Sequence, residues 1–114
     1  MYISTNKLKW SEARSTCSEY GGQLAEIESE AKQTAIAEAK TSAGVDYLWF
    51  GLSDIAKEGT FVWASSGKPA VYTNWHSGDP NNAGGNEDCG IINPVNKWYD
   101  ARCHYATYFV CEKP

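Results

Sequence analysis

His76-Ser77-Gly78-Asp79-Pro80-Asn81-Asn82-Ala83-Gly84-Gly85-Asn86-Glu87-Asp88-Cys89 is the stretch on which the reading of this chain turns. It ends a longer segment after Trp63 that also carries Gly67, Pro69, Ser65, Ser66 and Asn74, and the whole reads as one long loop. Loops longer than about 12–15 residues are uncommon in compact domains and usually carry function. Val71, Tyr72 and Trp75 are apolar anchors within it, which argues against disorder.

Six side chains with hard oxygen donors, Asp79, Asn81, Asn82, Glu87, Asp88 and Asp100, fall between positions 79 and 100, with Lys97 as the one cation in that span. Carboxylates gathered so closely repel one another. Calcium relieves the repulsion by taking six to eight oxygens at about 2.3–2.6 Å, and the cluster offers no soft ligand to favour zinc or copper. The EF-hand spacing is absent. The alternative is a solvated acidic loop with Asx-turns.

Around this loop the pattern changes from helix to strand. Trp10, Ala13, Cys17 and Tyr20 recur at helical spacing and Gly21-Gly22 stops them, so a helix is predicted over 10–20. A second is predicted from the N-cap Ser29 to Lys40, with Ile36 its only large apolar residue. Past Gly44 come short strand-like runs at Tyr47–Leu52, Phe61–Trp63, Ile91–Ile92, Trp98–Tyr99 and Tyr108–Cys111. Trp49, Trp63, Trp75 and Trp98 read as core. His104 reads as a surface residue, and Lys7, Lys9, Glu12, Arg14 and Glu19 as a solvated face.

The 114 residues, 42% hydrophobic and 21% charged, set one globular domain, residues 1–114, as the expectation. A formal net charge of −4 without a basic stripe disfavours nucleic acid. No apolar run approaches a membrane span, and the opening Met1-Tyr2-Ile3 lacks the plan of a signal peptide, so no membrane insertion and a mature or excised soluble form are expected. Cys17, Cys89, Cys103 and Cys111 lack zinc-ligand spacing and are read as two disulfides in one of three connectivities, hence a secreted, extracellular setting. No Ser-His-Asp or Cys-His arrangement is recognisable, and the acidic pairs are read as metal ligands, so no enzyme is expected.

In their order these residues resemble the C-type lectin-like domain, closest to the carbohydrate-recognition domains of mannose-binding collectins. Trp10, Glu12-Ala13 and Gly21-Gly22-Gln23-Leu24-Ala25 look like the family's first helix and the following strand. Trp49-Phe50-Gly51-Leu52 resembles its Trp-Ile-Gly-Leu signature, and Tyr72-Thr73-Asn74-Trp75 its loop entry. Asp79-Pro80-Asn81 is similar to Glu-Pro-Asn, Gly85-Asn86-Glu87-Asp88-Cys89 to Gly-x-Glu-Asp-Cys, and Trp98-Tyr99-Asp100 to Trp-Asn-Asp.

The resemblance implies an α+β fold of two helices, mainly antiparallel strands and a long calcium-stabilised loop. It also implies disulfides Cys17–Cys111 and Cys89–Cys103 and a cis peptide before Pro80. It places a principal calcium on Asp79, Asn81, Glu87 and Asp100, and a second on Asp54, Glu58, Asn82 and Asp88 with the Glu87 carbonyl. Two residues depart from the pattern: Asp79 is one methylene shorter than the family's Glu, and Tyr99 replaces an Asn ligand with a phenol that can contact sugar. The implied function is calcium-dependent binding of mannose, N-acetylglucosamine or fucose, with Asp79, Asn81, Glu87, Tyr99 and Asp100 at the sugar. A galactose-type lectin and a protein-binding module without sugar activity are the alternatives. One shallow site binds weakly, so avidity calls for self-association or for a longer parent protein.

Overall fold

The computed structural model describes residues 1–78 and 88–113. Along the chain lie β1 (Tyr2–Ile3), α1 (Trp10–Glu19), β2 (Gln23–Leu24), α2 (Glu30–Ala43), β3 (Leu48–Ser53), β4 (Val62–Trp63), β5 (Cys89–Ile92), β6 (Trp98–Ala101) and β7 (Tyr108–Glu112). The strands run in the order β1-β7-β3-β5-β6, with β2 also on β7 and β4 also on β3. β3 and β7 pair in parallel, and the other strand pairs are antiparallel. The α+β fold with mainly antiparallel strands is as expected.

Both helices form where the apolar stripe meets local stop and start signals. In α1, Trp10, Ala13 and Cys17 are buried, and Glu12 accepts the Lys9 backbone N–H at 3.1 Å across the first turn. In α2 the Ser29 hydroxyl accepts the Lys32 N–H at 3.2 Å. This helix runs three residues past its expected end at Lys40, because Gly44, at φ 71°, is the residue that can take the left-handed cap. The two-residue strands β1 and β2 are too short for periodicity to signal. β1 is unforeseen, and β2 falls where the resemblance implied a strand.

All six residues of β3 are buried, and they alternate between two cores. Trp49 packs with Trp10, Ala13, Cys17, Ile91 and Phe109 on the α1 side. Leu48, Phe50 and Leu52 pack with Ile27, Ile36, Trp63, Ile92 and Trp98 on the other. At Gly51, β2 crosses so closely that an added Cβ would sit 2.8 Å from the Leu24 carbonyl oxygen. That contact explains glycine between Phe50 and Leu52. Disulfides join Cys17 to Cys111 and Cys89 to Cys103, the connectivity implied by the resemblance.

Of the tryptophans read as core, Trp49, Trp63 and Trp98 are buried and Trp75 is half-buried. His104 and the charged residues assigned to the α1 face are exposed.

Candidate functional site

The site grows from the sheet end formed by the C-terminus of β3 and the N-terminus of β5. Asp54 follows β3 directly and Asp88 precedes β5, and the Asp54 backbone N–H donates to the Asp88 carbonyl at 2.9 Å. A turn after Asp54 returns Gly59 to it, with the Lys57 N–H on the Asp54 carbonyl at 3.1 Å and the Gly59 N–H on Asp54 Oδ2 at 2.8 Å. The turn also brings in Glu58. One carboxylate oxygen from each of Asp54, Glu58 and Asp88 lies within 4.8 Å of the others.

The electrostatics of this trio are those of a cation site. Asp54 is 2% exposed, and both Asp54 Oδ1 and Asp88 Oδ1 are buried without a hydrogen-bond partner. Burial, above all, pushes the Asp54 carboxyl up to about 7, against the Gly59 N–H, and the adjoining Glu58 and Asp88 carboxyls push the same way. Three converging carboxylates with two orphaned oxygens suit a hard cation that accepts several oxygens, so the residues present fit calcium. Of the second implied ligand set, Asp54, Glu58 and Asp88 come together here. Asn82 and the Glu87 carbonyl lie outside the described residues.

For the principal set, Asp79, Asn81 and Glu87, and the peptide before Pro80, lie outside the described residues. Asp100 is 1% exposed in β6, opposite Gly90 of β5. Strand alternation puts its side chain on the same face as Trp98, and the loop is entered alongside β6 at Trp98. Three hydrogen bonds fix that entry: the Trp98 N–H to the Asn74 carbonyl at 2.9 Å, the His76 N–H to the Trp98 carbonyl at 2.7 Å, and the exposed His76 ring to the Ser77 carbonyl at 3.1 Å. Tyr99 falls on the other face, with Trp49 and Ile91 in register. Its half-buried ring stands edge-on to Tyr47, with centroids 6.3 Å apart.

Sequence reasoning missed Gly59, which holds Asp54 through a backbone N–H and so leaves no mark on side-chain patterns. The one available signal was its place just after Glu58, where a turn must reverse.

Comparison with known proteins places the fold in a family. Residues 6–113 match the family described as Lectin C-type domain. The chain is 35% identical to chicken (Gallus gallus) Collectin-10 over 97% of its own length and 40% of the relative's. It is also 37% identical to the mouse (Mus musculus) low affinity immunoglobulin epsilon Fc receptor, over 98% of this chain and 33% of that one. The chain thus spans well under half the length of these curated relatives. Among solved structures, the mouse scavenger receptor C-type lectin carbohydrate-recognition domain superposes with a TM-score of 0.90 at 30% identity, covering 99% of this chain and 87% of that one. The cow CD23 carbohydrate-recognition domain, solved in the presence of a GlcNAc2Man3 oligosaccharide, gives 0.83 at 33% identity, covering 96% and 83%. The chain belongs to the C-type lectin domain family and is a non-enzymatic binding domain.

Proposed function

We propose that residues 1–114 form one carbohydrate-recognition domain of a secreted, extracellular protein, binding glycans of the mannose, N-acetylglucosamine or fucose type in a calcium-dependent manner. The observation that carries this reading is the Asp54, Glu58 and Asp88 trio with its two buried, unpartnered oxygens, in a chain of this family. Asp54, Glu58, Asn82 and Asp88 hold one calcium and so brace the loop. Asp79, Asn81, Glu87 and Asp100 hold the principal one. Calcium, bound there, supplies the positive charge that takes two vicinal sugar hydroxyls as ligands.

The chain's own residues provide the rest of the recognition. Asp79 and Glu87 accept the hydroxyl protons, and the Asn81 amide donates to a hydroxyl oxygen, so each hydroxyl nearly fills its hydrogen-bonding capacity. Bonds to the carboxylates are charge-assisted and about twice as strong as neutral ones. Tyr99 is next to Asp100 in β6 but faces the other way, edge-on to Tyr47, so it is the least direct of the implied sugar contacts. A single site of this kind binds weakly, and several held together by self-association or by a longer parent chain provide avidity.

A protein-binding module is the second reading, supported by the similarity to a receptor named for immunoglobulin epsilon Fc. The deciding experiment is a glycan array probed with multivalent domain in calcium and again in chelator. Chelator-sensitive signal on mannose-type glycans is expected. The same signal on galactose overturns the specificity, and silence in both conditions overturns sugar binding in favour of the protein-binding reading.

A further inference from the structure

Two segments from opposite ends of the chain meet beside the start of α1. The Leu8 N–H donates to the Thr107 carbonyl at 3.0 Å, and the Thr107 N–H returns to the Leu8 carbonyl at 3.1 Å. Further along, the Trp10 N–H donates to the Cys103 carbonyl at 3.0 Å. Trp49 Nε1 reaches the Leu8 and Tyr105 carbonyls at 3.1 and 3.2 Å, and the Cys89–Cys103 disulfide ties the second segment to β5. The junction is therefore held at several points by groups of the framework.

Leu8 packs against the core on the α1 side, so strand alternation turns Lys7 and Lys9 outward, and both are exposed. Arg102, His104 and Tyr105 are exposed on the facing segment. Lys7 Nζ stands 5.3 Å from the centroid of the Tyr108 ring, a contact that steadies the ammonium without neutralising it. Lys7, Lys9 and Arg102 have no carboxylate partner among the described residues. Glu12 and Asp46, acids that adjoin this junction along the chain, accept backbone N–H groups instead, of Lys9 at 3.1 Å and of Tyr47 at 2.9 Å.

Residues 2–10 and 101–110 hold three of the ten Lys and Arg residues and none of the fourteen acids. Neither segment is a basic stripe by itself, and only their pairing assembles one. Lys7 and Lys9 are two positions apart, about 7 Å along an extended chain, with Arg102 and His104 on the segment beside them. The result is a narrow basic strip on a protein that is acidic on balance. A broad anionic surface, whether lipid or nucleic-acid duplex, meets repulsion wherever it extends past the strip, whereas one linear polyanion lies within it.

We propose that this strip docks a linear sulfated polysaccharide, without calcium and with none of the calcium ligands. Sulfate groups stay ionised and present several acceptor oxygens. Arg102 meets them with its planar fork of donors, Lys7 and Lys9 as point charges. The His104 ring and the Tyr105 hydroxyl donate to sulfate or sugar oxygens. The two disulfides fit the extracellular setting in which such a chain, rather than single-stranded nucleic acid, is the polyanion at hand.

The test is fluorescence polarisation of a labelled heparin dodecasaccharide titrated with the domain in chelator, over a series of salt concentrations. Saturable binding is expected, with a slope of log affinity against log salt of roughly −2 to −3, as three neutralised sulfates give. The double variant Lys9→Glu/Arg102→Glu should weaken binding about tenfold or more while circular dichroism stays unchanged. Lys7→Gln/Arg102→Gln, which removes charge without reversing it, should weaken it about fivefold and serves if the reversal unfolds the chain. Lys68→Glu/Lys113→Glu makes the same change of net charge at exposed positions elsewhere and should stay within about threefold of the parent. Absent binding, an equal loss in that control, or equal affinity for oligothymidylate of the same charge or for phosphatidylserine vesicles overturns the proposal. Failure of the calcium reading is seen separately, as missing chelator-sensitive binding of mannotriose by the parent domain.

Discussion

The backbone N–H of Asp54 donates to the carbonyl of Asp88 at 2.9 Å, and this one bond sets the buried Asp54 carboxylate beside the half-buried one of Asp88. The strand ladder between β3 and β5 thereby holds two like charges in place. Without a cation, the arrangement costs stability.

Removing one of the charges should show this cost. Asp54→Asn keeps the shape of the side chain and relieves the repulsion, so the variant in chelator is expected to be more stable than the parent by ~1–3 kcal/mol. It should also lose the stabilisation that calcium confers, about 2.7 kcal/mol at ~100 times Kd. Thermal melts with and without calcium measure both quantities. A parent-like calcium shift in the variant would remove this trio as a metal site.

The pH dependence of the calcium-free domain follows from the same group. Burial first, and then Glu58 and Asp88, raise Asp54 from 3.8 to about 7, so between those values the folded state holds a proton that the unfolded chain has released. Stability therefore rises as pH falls from about 7 toward 4 and levels off below. With calcium bound, protons compete with the metal and the slope reverses. Urea unfolding at a series of pH values, in chelator and in calcium, measures the two slopes; parallel slopes would contradict the assignment.

Gly51→Ala should destabilise by about 2 kcal/mol or more, since its Cβ meets backbone oxygens that cannot move aside. Those are the carbonyls of Leu24 at 2.8 Å and Ala25 at 3.1 Å. Gly67→Ala is the control: nothing lies within 4 Å of its Cβ, and the cost is that of a left-handed φ, ~1 kcal/mol. Denaturant midpoints of the two variants test the difference, and equal values would refute the crossing contact as the reason for glycine.

The two disulfides should separate in their effects. Cys17–Cys111 closes a separation of 94 residues and Cys89–Cys103 one of 14. Loop-closure entropy gives about 4.7 and 3 kcal/mol respectively. Paired Cys→Ala variants should lose stability in that order. Loss of the Cys89–Cys103 pair should weaken calcium affinity more, because it frames Asp88 and Asp100. Calorimetry with calcium titration reads both, and a larger calcium defect on removing Cys17–Cys111 would contradict this role.

Much of the fold was legible in the sequence because its signals are local. Trp10, Ala13 and Cys17 show a helical period, Ser29 caps α2, and the β3 run from Leu48 is too apolar to be anything but buried. The end of α2 at Ala43 was misplaced by three residues, because the alanine-rich tail carries no apolar period and only Gly44 marks the stop. β1 escaped notice because a two-residue strand exists only through its partner, β7.

The candidate site divides in the same way. The sequence by itself determined the donor chemistry, an excess of carboxylates and amides from Asp79 to Asp100, and placed Asp54 and Glu58 among the ligands through the family resemblance. Tertiary structure decided which of these meet. Asp54 and Asp88 are 34 positions apart and touch because β3 and β5 are hydrogen-bonded neighbours. Tyr99 turns toward Tyr47 because strand alternation assigns it to the face opposite Asp100. Residue type is a property of the chain, but burial, orphaned oxygens and the facing of side chains arise only when distant strands pair and exclude water.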